Sequence, residues 1–341
     1  MPASTQSIQT PLRRAGLVRR RAARLAASVG AALFGMAALG AGAPAAAQDA
    51  YPSRPLQMIV PFPPGGPVDI VARAFARELE GKLQQRVVVV NRDGASTTIG
   101  MNALLAAPAD GYTFVYGPVT ALTVHLHWMK GLQFNADSFT PVCQTFENIF
   151  MLAARPDTPY RSLEALLAQG KQQPGKLTYG HPGIASSPHL AGAELFQRAG
   201  VSARDVPYRG ETPLLPQLIS GEIDLGVVTT GFATTHKLHP IAVFADKRLA
   251  AFPNTPTVKE LGYAVTPSGY GGLFVRAGTG EEALAALEKG CRQTVADPLF
   301  KEAAQRTFQQ ADFLDRQQFR ERIRADHASK EGLLKTVKFD R

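Results

Sequence analysis

Cysteine is scarce in this chain of 341 residues, where only Cys143 and Cys291 occur. Two cysteines exclude a disulfide-rich scaffold and a four-cysteine zinc ribbon. Charge is thin as well, at 19% of residues, and acidic residues are missing altogether from positions 1–47. That stretch carries Arg13, Arg14, Arg19, Arg20, Arg21 and Arg24, so it holds much of the formal charge of +9. The other 294 residues contain 31 basic and 28 acidic groups, a balance that removes the first argument for nucleic-acid binding. Beyond residue 47 there is no long charge-free apolar run. What remains, 45% hydrophobic and punctuated by 25 Pro and 31 Gly, is a loop-rich globular chain and neither a coiled coil nor a collagen. Its length favours two domains.

The arginines of 1–47 precede an uncharged stretch, Leu25–Gln48, rich in Ala and Gly. This order fits the basic and apolar regions of a secretory signal peptide, with small Ala45 and Ala47 placing cleavage after Ala47 and Ala50 as the alternative. A membrane anchor would want larger side chains. Arg20-Arg21 leaves twin-arginine export open beside the general route. The mature protein is expected to be soluble and periplasmic.

Short runs such as Met58–Val60, Val87–Val90, Thr113–Tyr116, Ile149–Ala154, Leu225–Thr229, Ile241–Ala245 and Leu273–Val275 read as buried strands. Between the first two, Asp69–Leu83 repeats Ile70, Ala74, Phe75, Leu79 and Leu83 on one helical face. Alternation of this kind predicts an α/β architecture with mostly parallel sheets. Ligand-competent places are then the loops that leave strands and feed helix starts. No flexible linker divides the chain, so two domains would be joined by extended crossings.

Three such loops stand out. Pro61-Phe62-Pro63-Pro64-Gly65-Gly66-Pro67-Val68-Asp69 offers N–H groups near a helix start, and serves equally as a rigid turn or an anion site. Its spacing matches no nucleotide-binding motif. Asp69 has two readings, a cap of its own helix or a partner for a ligand's ammonium or hydroxyl group. Asn91–Gly100 brings Ser96, Thr97 and Thr98 after a strand, and Gly183-Ile184-Ala185-Ser186-Ser187 precedes another helical pattern.

Taken in order, these blocks resemble the Bug family, the periplasmic substrate-binding receptors of tripartite tricarboxylate transporters. The match begins at Tyr51-Pro52-Ser53-Arg54-Pro55 and passes through Ile59–Phe62, Gly65-Gly66, Asp69–Arg73, Val88–Arg92 and Ala107–Thr113. It continues at Pro174–Leu177, His189–Gly192, Val206–Gly210, Gly221–Asp224 and Phe252–Thr257. The resemblance implies a two-lobed periplasmic binding protein type II-like fold, with a sheet flanked by helices in each lobe and a ligand cleft between them. By position, lobe 1 is expected at 51–143 plus 272–341 and lobe 2 at 144–271. It further implies an organic-acid or amino-acid ligand held by backbone groups and hydroxyls, with no cofactor, no metal and no nucleic acid. The ligand-binding positions carried over are Pro64, Gly65, Gly66, Val68, Asp69, Ser96, Thr97, Thr98 and Thr120 from lobe 1. Those from lobe 2 are Gly183, Ala185, Ser186, Ser187, Thr229 and Thr230. Expected partners are membrane permease subunits or a membrane sensor, with the receptor itself a monomer.

The chain departs from the family pattern in several places. Val68 replaces a small polar residue, Asp93-Gly94-Ala95-Ser96-Thr97 replaces a Gly-rich turn, and Thr229-Thr230-Gly231-Phe232 is atypical. Signals for enzymes are weak. His125 and His127 lack a third metal ligand, and no G-x-S-x-G elbow is present. Cys143 and Cys291 are expected as buried free thiols, although export permits their pairing. The reading is a non-enzymatic receptor for a small carboxylate. The rivals are a ligand sensor that signals to a membrane regulator and a secreted hydrolase.

Overall fold

The computed structural model describes residues 50–265 and 267–336. The segment 1–47 expected as a signal peptide lies outside the described residues. Among them, no helix is long and apolar enough to cross a membrane.

The chain opens with β1 (Leu56–Val60), α1 (Pro67–Leu83), β2 (Val87–Asn91), α2 (Thr98–Ala106) and β3 (Thr113–Pro118). Two single helical turns, Thr120–Thr123 and His125–Trp128, lead to β4 (Phe139–Asn148). The second half of the fold then follows: β5 (Phe150–Ala154), α3 (Leu163–Gln172), β6 (Thr178–His181), α4 (Ser187–Ala199), β7 (Arg204–Pro207), α5 (Leu215–Ser220), β8 (Leu225–Thr229), α6 (Thr230–Thr235) and β9 (His239–Phe244). The chain returns through β10 (Tyr270–Arg276), α7 (Glu281–Ala296), α8 (Pro298–Arg306), β11 (Gln309–Leu314) and α9 (Arg316–Thr336).

Two sheets result, in the orders β11-β4-β10-β3-β1-β2 and β7-β6-β8-β5-β9. The two-lobed α/β class holds, but the expectation of mostly parallel sheets does not. Pairs β1–β2, β1–β3, β6–β7 and β6–β8 are parallel, while β10 and β5 pair antiparallel with both neighbours. Helical crossovers produce the parallel half of each sheet; the strands that enter and leave a lobe run against it. The boundaries expected at 143/144 and 271/272 fall inside β4 and β10, which both belong to the first sheet. The chain leaves that sheet after Asn148 and re-enters it at Tyr270.

Side-chain alternation explains the layers. In β1, Leu56, Met58 and Val60 face α1, and Ile59 faces the opposite cluster with Met101 and Leu104. In β5, Phe150, Leu152 and Ala154 enter one core and Met151 and Ala153 the other. The first core is ordered by rings: Phe75–Tyr116, Tyr116–Phe146 and Phe75–Phe300 have centroids 5.2, 5.3 and 5.6 Å apart. Helix α1 starts two residues earlier than its pattern predicts, with Pro67 in the first turn, and buries Val71, Ala72, Phe75, Ala76 and Leu79. Ile70, read as part of its buried face, is exposed.

The cysteines correct a second expectation. Cys143 on β4 and Cys291 on α7 are both fully buried and form a disulfide that pins the helix to the sheet. The helical pattern placed Cys291 correctly on an inward face; the partner came from a strand 148 residues away, which periodicity does not register.

Candidate functional site

One cleft gathers the loops singled out by the sequence. It is partly open to solvent and lined mostly by apolar surface with a few polar groups set into it, as small-molecule pockets are. From the first lobe come Phe62, Pro63, Gly66, Pro67 and Val68, then Ser96 and Thr97, then Pro118 and Thr120. From the second come Pro182, Ser186, Ser187 and Pro188, with Glu211, Thr212 and Thr229. The floor is made by the crossing segments, Asn148 and Phe150 going out and Ser268 and Gly269 coming back.

Each wall has a physical basis. Gly66 is the N-cap of α1 and offers no side-chain cap, so first-turn N–H groups are left without an intrahelical partner beside Pro67 and Val68. On the opposite wall Ser186 caps α4 by accepting from the His189 N–H, and Ser187 Oγ donates to the Ser268 carbonyl at 2.5 Å. Ala95, Ser96 and Thr97 are held at φ 43°, 51° and 81°, a left-handed turn that costs strain in residues with a Cβ. Thr98 closes this turn by donating to the Ala95 carbonyl. Thr97 Oγ1 and Asn148 Oδ1 are buried and lack a hydrogen-bond partner among the described residues, and both residues line the cleft.

Of the expected site residues, Gly66, Val68, Ser96, Thr97, Thr120, Ser186, Ser187 and Thr229 line this cleft. Pro64, Gly65, Asp69, Thr98, Gly183, Ala185 and Thr230 do not. Asp69 neither caps its helix as N-cap nor faces the cavity. Its Oδ2 accepts from the Gly65 N–H and from Arg73 Nε, both at 2.9 Å, and its Oδ1 accepts from Asn91 Nδ2 at 2.8 Å. Burial opposes the charge, but these bonds outweigh it and hold the carboxyl below its usual range. Asp69 is thus the fastener of the Pro61–Val68 turn.

His181 and His189 stand behind the Gly183–Ser187 loop with their rings stacked at 4.1 Å. His181 Nε2 lies 3.2 Å and His189 Nε2 3.6 Å from Asp205 Oδ2, while His189 Nδ1 accepts from the Ala185 N–H. Burial first, and then the neighbouring His181, push His189 down to about 3. Asp205 is lowered chiefly by its bond to His181. Among the described residues this is the one trio of potential ligand atoms close enough for a metal. The nearly parallel rings and their bonds to the loop backbone describe a buttress. His125 and His127 are not part of it; His127 stacks on His327 at 4.0 Å.

Sequence reasoning missed Glu211, the one charged residue lining the cleft. Its signal was weak, a single acid directly after the matched block Val206–Gly210. Burial pushes its carboxyl up to about 7, only partly offset by the bonds from Thr229.

The comparisons agree with this architecture. Residues 71–338 match the family model described as tripartite tricarboxylate transporter family receptor. Protein BugT of Bordetella pertussis is 37% identical over 235 residues, covering 67% of this chain and 72% of BugT. The structure of the periplasmic binding protein BugD superposes with a TM-score of 0.78 at 27% identity, covering 85% of this chain and all of that one. A Rhodopseudomonas-type neighbour, an R. palustris protein solved with adipate, gives 0.79 at 25% identity over 84% of this chain and 98% of its own. A cleft between two lobes, lined by helix starts and hydroxyls, is accordingly a place for holding a solute unreacted, and the chain belongs to the tripartite tricarboxylate transporter receptor family.

Proposed function

We propose that this receptor captures a small carboxylate in the periplasm and presents it to the membrane permease subunits of a tripartite transporter, acting as a monomer. The carrying observation is the convergence of Gly66 and Val68 at the start of α1 with Ser186 and Ser187 at the start of α4 on one cavity. Fixed N–H and O–H donors in a partly dry site suit an anion without requiring a Lys or Arg. Ser96, Thr97 and Thr120 add hydroxyls from the first lobe. The adipate bound by the R. palustris neighbour supports the ligand class. Closure of the lobes would strengthen these contacts by removing water and would create the surface that a permease reads.

Native mass spectrometry of protein purified without refolding, followed by calorimetry against a carboxylate panel, tests the reading. Saturable binding of an unchanged ligand supports it; turnover of the ligand, or no carboxylate binding at all, defeats it. Fractionation with N-terminal sequencing of the mature chain tests export and cleavage after Ala47. A pull-down with the permease subunits separates transport from sensing.

A further inference from the structure

We infer that Glu211 selects the ligand's second functional group, and that this group carries a cationic nitrogen, so that the receptor takes an amino carboxylate in preference to a plain dicarboxylate. The inference rests on the carboxylate-receptor reading above and adds to it the chemistry of the ligand's other end.

Glu211 lines the cleft, and no Lys, Arg or His lines it alongside. Among the described residues no salt bridge reaches its carboxylate, and no other charge contributes to its perturbation. The group is held from behind by one residue. The Thr229 N–H donates to Oε1 at 2.5 Å, and Thr229 Oγ1 donates to Oε2 at 2.9 Å. That hydroxyl also accepts from the Phe232 N–H at 3.3 Å, which leaves its single proton available for the carboxylate. In its ionised form Glu211 accepts from Thr229 at both oxygens. What it lacks is a counter-ion, and the open side is the cleft.

A second acceptor points the same way. Asn148 lines the cleft, and its buried Oδ1 has no hydrogen-bond partner among the described residues. The site thus offers donors at the starts of α1 and α4 and acceptors at Glu211 and Asn148. A ligand with carboxylates at both ends would set one of them against Glu211. A ligand with a carboxylate at one end and an ammonium at the other satisfies both sets. Asp69, the other acid near the cleft, is already occupied by Arg73, Asn91 and the Gly65 N–H and does not compete.

The titratable groups around Glu211 are few. Tyr208 and Arg209 precede it but do not line the cleft, and His181, His189 and Asp205 sit behind the Gly183–Ser187 loop. Of these groups Glu211, whose carboxyl burial raises to about 7, is the one that lines the cleft, and Glu211→Gln separates its effect on binding from theirs.

The test is calorimetry on matched pairs: succinate with 4-aminobutanoate, glutarate with 5-aminopentanoate, adipate with 6-aminohexanoate, and glutamate as an acid carrying both groups. In the tightest-binding series the amine-bearing member is expected to bind wild type at least 10-fold more tightly. Glu211→Gln, which keeps the side-chain shape, is expected to weaken that member by at least 10-fold and to strengthen the dicarboxylate. Lowering the pH from 8 to 6 should weaken amine binding to wild type and leave Glu211→Gln flat, a readout that a purely structural role would not move. Should the variant fail to fold, the wild-type preference within the matched pairs decides. A preference for the dicarboxylate that survives in wild type, or a co-purified ligand without nitrogen, overturns the role of Glu211 and leaves the receptor reading intact. Failure of every carboxylate to bind overturns both.

Discussion

Gly183 of the second lobe packs directly on Ser96 of the first. A Cβ built on Gly183 would lie 2.6 Å from Ser96 Oγ and 3.3 Å from Ser96 Cβ, and Gly183 sits at φ +144° besides. The two loops that approach each other across the cleft therefore touch through a position where only a hydrogen fits. Gly183→Ala is expected to hold the lobes apart and weaken ligand affinity about tenfold or more, since the new Cβ meets the Ser96 side chain and φ +144° is strained for any residue that carries one. Adding Ser96→Gly to the same chain should restore part of the loss. Calorimetry reads the affinity, and small-angle scattering with ligand reads the closure.

The left-handed turn beside that contact predicts a trade of stability against binding. Thr97, β-branched and at φ 81°, bears strain of about 1–2 kcal/mol; the residue lines the cleft, and its buried Oγ1 has no hydrogen-bond partner among the described residues. Thr97→Gly is expected to raise stability by up to about 1 kcal/mol, once the entropy of glycine in the unfolded chain is subtracted. Affinity should fall together with the lost hydroxyl. Urea unfolding and calorimetry on the same preparation check both signs.

Asp69 is predicted to matter for folding more than for ligand choice. Asp69→Ala removes the acceptor for the Gly65 N–H, Arg73 and Asn91 and should cost about 2–4 kcal/mol. The order of preference among ligands should stay the same, because the side chain does not face the cavity. Denaturation midpoints together with a ligand panel separate the two effects.

Loss of the Cys143–Cys291 disulfide should destabilise the first lobe. Closing a loop of 148 residues removes chain entropy worth roughly 5 kcal/mol in the simplest treatment, and native bridges typically measure about 2–5 kcal/mol. Cys143→Ala with Cys291→Ala is expected to lower the urea midpoint by an amount in that range. An unchanged midpoint would show that packing alone fixes α7 on the sheet.

Acid should weaken the fold. Burial pushes His125 down to about 4 and His189 to about 3, so both are neutral in the folded protein and take up protons near 6.5 when unfolded. Their contribution is complete above that value and is lost as the pH falls below it. Glu211 works in the other direction. Its folded carboxyl is raised to about 7 against 4.5 when unfolded, so it is protonated first in the native state and offsets part of the loss. The net fall between pH 7 and 4.5 should be on the order of 2 kcal/mol, and Glu211→Gln should steepen it. Urea unfolding at several pH values gives the slopes.

What could be read from residues alone follows the range of the forces involved. Strands such as Leu225–Thr229 and the serine turn that opens α4 are written in local patterns, namely β-branched runs and Ser-Pro before an apolar stripe. The mixed sheets were not legible, because the direction of β5 and β10 depends on where the chain enters and leaves each lobe. The pairing of Cys143 with Cys291 and the binding of Asp69 to Arg73, Asn91 and Gly65 were hidden for the same reason: their partners are set by tertiary contact. Glu211 was passed over because an acid after a glycine resembles ordinary loop chemistry until Thr229 and the cleft are seen around it.

Asn148 and Gly269 lie where the two passages between the lobes run side by side. The Asn148 N–H donates to the Gly269 carbonyl at 2.6 Å, and a Cβ on Gly269 would fall 2.0 Å from the Asn148 oxygen. With both connections fastened together at one edge, the lobes have an axle and no slide: they can swing, but shearing past each other would tear that bond. The same two residues form part of the cavity floor, so a molecule settling there rests on the axle itself and can stiffen or free the swing without any relay through the rest of the protein.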